Sequence, residues 1–97
     1  MQTQIGKSGR FETAQSSKYL QQLCKHFAHK TEVSYDEKHG EIALRSAVCR
    51  LTAEPDALVA QLMPVEYGSL EEAKDVVDRH LARFAFREGF SNMAWSD

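Results

Sequence analysis

The sequence has no apolar run that approaches the length of a membrane span, which excludes a helical membrane protein. Met1 to Arg10 lacks the apolar core of an export signal. There are only two cysteines, Cys24 and Cys49, too few for a disulfide framework. With no export signal, both are expected as reduced thiols and the chain is expected in the cytoplasm. Phosphate-binding glycine loops, the serine nucleophile elbow and H-E-x-x-H are all absent, and with them the chemistries those motifs carry. An excess of charge is lacking too. The 12 Lys and Arg against 14 Asp and Glu leave a net charge of −2, with a pI near 6.1. Nucleic acid or an anionic lipid surface would therefore need a local basic patch, and the net acidity counts against either partner.

What is present fits one domain over residues 1–97. An apolar fraction of 42% and a charged fraction of 27% are ordinary for a globular protein. This length allows one modest core. Residues 1–13 are polar and contain Gly6 and Gly9; Ser8 to Glu12 reads either as a frayed lead-in or as a short strand.

Residues 14–30 read as a helix. Leu20, Leu23, Cys24 and Phe27 follow the helical spacing that stacks them on one face. Thr13, Ser16 and Ser17 are candidate N-caps. Lys25, His29 and Lys30 bring positive charge to the last turns, where the macrodipole favours it.

Residues 32–63 alternate as strands do. Val33 and Tyr35 precede a turn at Glu37-Lys38-His39-Gly40, where Gly40 is free to take positive φ. Ile42 and Leu44 follow. Ala47, Cys49, Leu51 and Ala53 then share one face, and Leu58, Ala60 and Leu62 continue after the turn at Glu54-Pro55-Asp56.

Residues 70–87 read as a second helix. Ser69-Leu70-Glu71-Glu72 has the form of a capping box, Leu70, Ala73, Val77, Leu81 and Phe84 form an apolar stripe, and Gly89 is placed to stop it. Phe90, Met93 and Trp95 suit a final strand or docked segment, since large apolar side chains are costly to leave in water. Together these elements predict an α+β two-layer sandwich: an antiparallel sheet of about four to five strands with two helices on one face.

Two segments carry groups with chemistry. In Cys24-Lys25-His26-Phe27-Ala28-His29 the spacing looks like a metal motif. At about 100° per residue, however, Cys24 and His26 lie roughly 200° apart around the helix, and zinc takes three or four ligands. No metal site is expected there. In Arg79-His80-Leu81-Ala82-Arg83-Phe84-Ala85-Phe86-Arg87 the three arginines are spaced four apart, as one ridge. His80 falls close to the middle of the apolar stripe, where an imidazole needs a hydrogen-bond partner. One reading is a pocket in which His80 meets an anion held by Arg83 and Arg87. The plainer one is a satisfied core histidine with arginines paired to carboxylates, Asp75 to Arg79 first among them. Two helices lying side by side would bring His26 and His80 together. Cys24 and Cys49 both point to the core, without the C-x-x-C of a redox pair.

The residues Tyr19-Leu20-x-Gln22-Leu23-Cys24-Lys25-His26-Phe27-x-His29-Lys30, Cys49-x-Leu51, His80-Leu81-x-Arg83-Phe84-Ala85-Phe86-Arg87-Glu88 and Trp95 resemble the bacterial domain of unknown function 2218 family. The resemblance runs over nearly the whole chain. It implies a short stand-alone bacterial protein. Similar domains beside siderophore-interacting flavoproteins hint at iron or redox biology. It assigns no catalytic residue and no cofactor.

The expected function is a binding module for a small anionic ligand or a partner protein, with His26, His29, His80, Arg83 and Arg87 as the ligand-binding surface. The alternatives are metal handling by the histidines, a small enzyme with His80 as general base, and a structural or homodimerising domain.

Overall fold

The alternation in the middle of the chain becomes a continuous sheet in the computed structural model, which describes residues 7–96. In chain order the elements are β1 (Lys7–Glu12), α1 (Ser16–Phe27), β2 (Val33–Tyr35), β3 (His39–Ala43), β4 (Ala47–Glu54), β5 (Ala57–Pro64), α2 (Leu70–Ala85), a 3₁₀ turn (Phe86–Glu88) and β6 (Ala94–Ser96). The segment around Ser8 to Glu12 is thus a strand. The part of that expectation covering residues 1–6 lies outside the described residues.

Among the described residues six strands run in the order β2-β3-β4-β5-β1-β6, and every neighbouring pair is antiparallel. That is one strand more than the upper expectation, because Ala94–Ser96 pairs with Ser8–Arg10 at the edge. The register follows from the alternation. Cys49 pairs with Leu62, Leu51 with Ala60 and Ala53 with Leu58, so the apolar set of β4 lies beside that of β5. Arg50, Gln61 and Met63 fall on the opposite, exposed face.

One core joins the sheet to both helices. Leu20, Leu23, Cys24 and Phe27 of α1 and Ala73, Val77, Leu81 and Ala85 of α2 belong to the same buried cluster as Ile42, Cys49, Leu51, Leu58, Ala60 and Leu62. Each fully buried leucine contributes about 1.5–3 kcal/mol relative to exposure.

Several local expectations resolve differently. Gly40 does not take positive φ; it lies within β3, and a Cβ there would stand 2.7 Å from Cys24 Sγ. The glycine lets α1 sit close on the sheet. The turn is built by Asp36 instead, whose Oδ1 accepts from the Lys38 and His39 backbone N–H groups, each at 2.8 Å. At the start of α1 no side chain caps the helix. The hydroxyls reach elsewhere: Ser16 donates to the Glu54 carbonyl oxygen and Ser17 to that of Glu37.

The capping box of α2 is half formed. Ser69 Oγ accepts from the Glu72 N–H at 3.1 Å, but the Glu72 carboxylate accepts from the Ser46 hydroxyl at 2.6 Å. Glu72 therefore ties α2 to the β3–β4 turn. Gly89 ends the 3₁₀ turn with φ of 73°, as its position suggests.

Candidate functional site

The packing of the C-terminal end of α1 against the second half of α2 assembles the site. His26 sits in the last turn of α1 because Leu23, Cys24 and Phe27 turn towards the sheet. His80 sits on the flank of α2. The buried residues of α2 are Ala73, Val77, Leu81 and Ala85, every fourth position. His80 is therefore beside the stripe rather than in its middle, and it is half-buried. The stripe expected from the sequence includes Leu70 and Phe84, which are only partly covered, and they move its centre towards His80.

The two imidazoles come together, with ring centroids 5.2 Å apart and planes tilted by 47°. Aromatic rings enclose them: Phe27 is 4.7 Å from His80, and Phe84 is 6.1 Å from His26. His80 Nδ1 donates to the Val76 carbonyl oxygen at 2.7 Å. A carbonyl only accepts, so Nδ1 carries the proton, and neutral His80 keeps its lone pair on Nε2. His26 Nε2 is buried and has no hydrogen-bond partner among the described residues. Such an orphan costs about 1–3 kcal/mol.

Next to this pair is a concavity of about 430 Å³ lined by Lys30, Arg79, His80 and Arg83. Arg79 is paired with Asp75, Nε to Oδ2 at 2.8 Å. Lys30 and Arg83 have no ion pair among the described residues. Their positive charge acts on the neighbouring imidazole. The His26 pKa is lowered first by burial, then by repulsion from His80, Lys30, Arg83 and His29.

The sequence-derived set is therefore gathered in part. His26, His80 and Arg83 come together. His29 is exposed at the end of α1 and acts on His26 through its field. Arg87 does not line the concavity. The α-helix ends at Ala85, the 3₁₀ turn breaks the arginine ridge, and the Arg87 guanidinium lies 5.4 Å over the Phe86 ring. Lys30 and Arg79 join the site instead. In the sequence Lys30 reads only as a helix-end charge, and a wheel for one helix cannot place it beside the other.

Other chemistry is less well supplied. Among the described residues no three His, Cys, Asp or Glu side chains come together as a metal site. No serine, threonine or cysteine side chain among them is hydrogen-bonded to either imidazole. Burial pushes the Cys24 and Cys49 thiols up to about 12, so neither is a ready nucleophile. No helix among the described residues is long and apolar enough to cross a membrane.

Fold and site together define an α+β sandwich with a cationic concavity at its helix pair. Residues 8–96 match the family described as uncharacterized proteins conserved in bacteria (DUF2218), and the chain belongs to that family. It is also similar to the NMR structure of PA4090 from Pseudomonas aeruginosa, with 33% sequence identity, 95% of each chain covered and a TM-score of 0.73. No curated protein matches it.

Proposed function

We propose that this protein is a cytoplasmic single-domain binding module that holds a small anion at the helix pair. The observation that carries the reading is the unpaired positive charge of Lys30 and Arg83 on the concavity that His80 also lines. A chain of net charge −2 has carboxylates enough to neutralise them, yet among the described residues only Arg79 of the three has an ion-pair partner. An anion there would accept from the Arg83 guanidinium and the Lys30 ammonium, both strong charge-assisted donors. Protonated at Nε2, His80 would add a third donor while its Nδ1 stays on the Val76 carbonyl oxygen. Charge balance supports the same reading: an anion relieves the repulsion that, after burial, lowers the His26 pKa.

The test is an NMR titration of the full chain with acetate and with inorganic phosphate, followed on the histidine ring protons. The expected result is saturable shifts at His26 and His80, tighter binding at pH 6 than at pH 8, and at least tenfold weaker binding in Lys30→Ala/Arg83→Ala. Unsaturable shifts, or equal binding by the double variant, would overturn the proposal.

A further inference from the structure

The cationic concavity borders a larger and more apolar cleft, with Lys30 on the wall of both. This second hollow, about 550 Å³, lies between the end of α1, the β3–β4 turn and the first half of α2, and its walls include Phe27, Lys30, Leu44, Arg45, Ala73 and Val76. Three residues join it to the site described above. Lys30 lines both hollows. Phe27 lines the cleft and packs its ring 4.7 Å from that of His80. Val76 lines the cleft, and its carbonyl oxygen holds His80 Nδ1. The concavity offers cations, and the cleft adds aliphatic and aromatic carbon beside the polar side chains of Thr31, Arg45, Ser46 and Glu72. The size of the cleft is within the range that small-molecule sites occupy, about 300–1,000 Å³.

Resting on the anion-binding reading, we infer that the ligand is a small carboxylate with an apolar body. Its charged head lies at Lys30, His80 and Arg83, and its body runs along Phe27, Leu44 and Val76. Acidic groups standing nearby offset part of the positive charge that the head meets. Asp75 occupies Arg79, and Glu72 lies on the cleft wall with its carboxylate bonded to Ser46. What remains is the positive charge of Lys30 and Arg83, which a carboxylate meets with its two oxygens. The body is apolar because the Thr31 hydroxyl donates to the Ala43 carbonyl oxygen and the Ser46 hydroxyl to Glu72, so polar groups lying along Phe27, Leu44, Ala73 and Val76 would go unpaired.

The experiment is calorimetric titration of the full chain with acetate, butyrate, hexanoate and octanoate, each below its aggregation concentration. Affinity is expected to rise about fourfold for each methylene that enters the cleft, and the Leu44 and Val76 methyl resonances are expected to shift with octanoate but not with acetate. In Leu44→Ser the ratio of octanoate to acetate affinity is expected to fall about fivefold or more. If that variant fails to fold, the chain-length series on the unaltered protein decides alone. Affinity that stays flat with chain length while acetate still binds would overturn this inference and leave the anion site standing. Failure of every carboxylate, acetate included, together with phosphate would remove both.

Discussion

The imidazoles of His26 and His80 lie 5.2 Å apart, centroid to centroid, across the contact between α1 and α2. Two protonated rings at that distance repel each other, and Lys30 and Arg83 add to the repulsion. His26 is the ring whose charged form suffers, from burial first and then from its cationic neighbours. Its folded pKa lies below its unfolded value of 6.5. Above pH 6.5 the ring is neutral in both states and the group contributes no slope. As pH falls below 6.5 the unfolded chain takes up the proton first, so stability is lost progressively until the folded pKa is passed. His26→Gln is therefore expected to flatten the fall in melting temperature between pH 7 and pH 5. Thermal melts of both proteins across that interval check this; parallel curves would count against a depressed His26. Saturating anion should flatten the curve of the unaltered protein in the same way, because it favours the protonated ring.

Asp78 offers a second test, at a residue that does not line the concavity. Its Oδ1 accepts from the Met93 backbone N–H and its Oδ2 from the Trp95 indole Nε1–H, both at 2.9 Å. The carboxylate clasps the segment that forms the edge strand β6. Asp78→Asn keeps the shape but supplies only one acceptor oxygen, and its amide N–H₂ then confronts a donor. We expect a loss of about 1–2 kcal/mol, or roughly 4–16 °C in Tm. Trp95 is the sole tryptophan, so its emission should shift to the red as β6 loosens. An unchanged spectrum together with an unchanged Tm would show that the clasp does not hold the strand.

Gly68 and Gly89 separate steric from conformational need. A Cβ at Gly68 would collide with the Ser46 backbone carbonyl oxygen. Backbone cannot yield cheaply, and Ser46 is also tied to Val65 N–H and to Glu72. A Cβ at Gly89 meets open space, but the residue has φ of 73°. Gly89→Ala should cost about 1 kcal/mol from the left-handed backbone alone. Gly68→Ala should cost clearly more, because it drives the β5–α2 connection away from the β3–β4 turn. Urea denaturation of the two variants ranks them, and the reverse order would contradict this account.

The sequence reading was strongest where one periodicity decided the outcome. Leu20, Leu23, Cys24 and Phe27 had to share a helix face, and the β4–β5 pairing followed from alternation on either side of Pro55. It was weakest where the cause lay on another element. Gly40 resembles a turn glycine until Cys24 Sγ is seen above it. Glu72 completes a capping box in the sequence, yet Ser46 takes its carboxylate, and nothing local to the helix announces Ser46. Lys30 and Arg79 enter the site by helix packing. Arg87 leaves it because the α-helix tightens into a 3₁₀ turn one residue earlier than the arginine spacing requires.

The two thiols give a prediction about reactivity. Cys24 and Cys49 are free and buried, and burial pushes both to about 12, with their mutual repulsion adding to Cys49. Only a thiolate attacks an alkylating reagent. At pH 7.5 a group with a pKa near 12 is ionised to only a few parts in a hundred thousand. Iodoacetamide should therefore leave both cysteines unmodified in the native protein and label both after denaturation. Labelling should accelerate with urea in step with the unfolded population, since opening of the core gives access to both sulfurs at once. Mass spectrometry of timed samples follows it. Rapid native labelling of Cys24 alone would mean that α1 lifts from the sheet without global unfolding, and that the contact between Cys24 and Gly40 is weaker than the close packing of β3 against α1 implies.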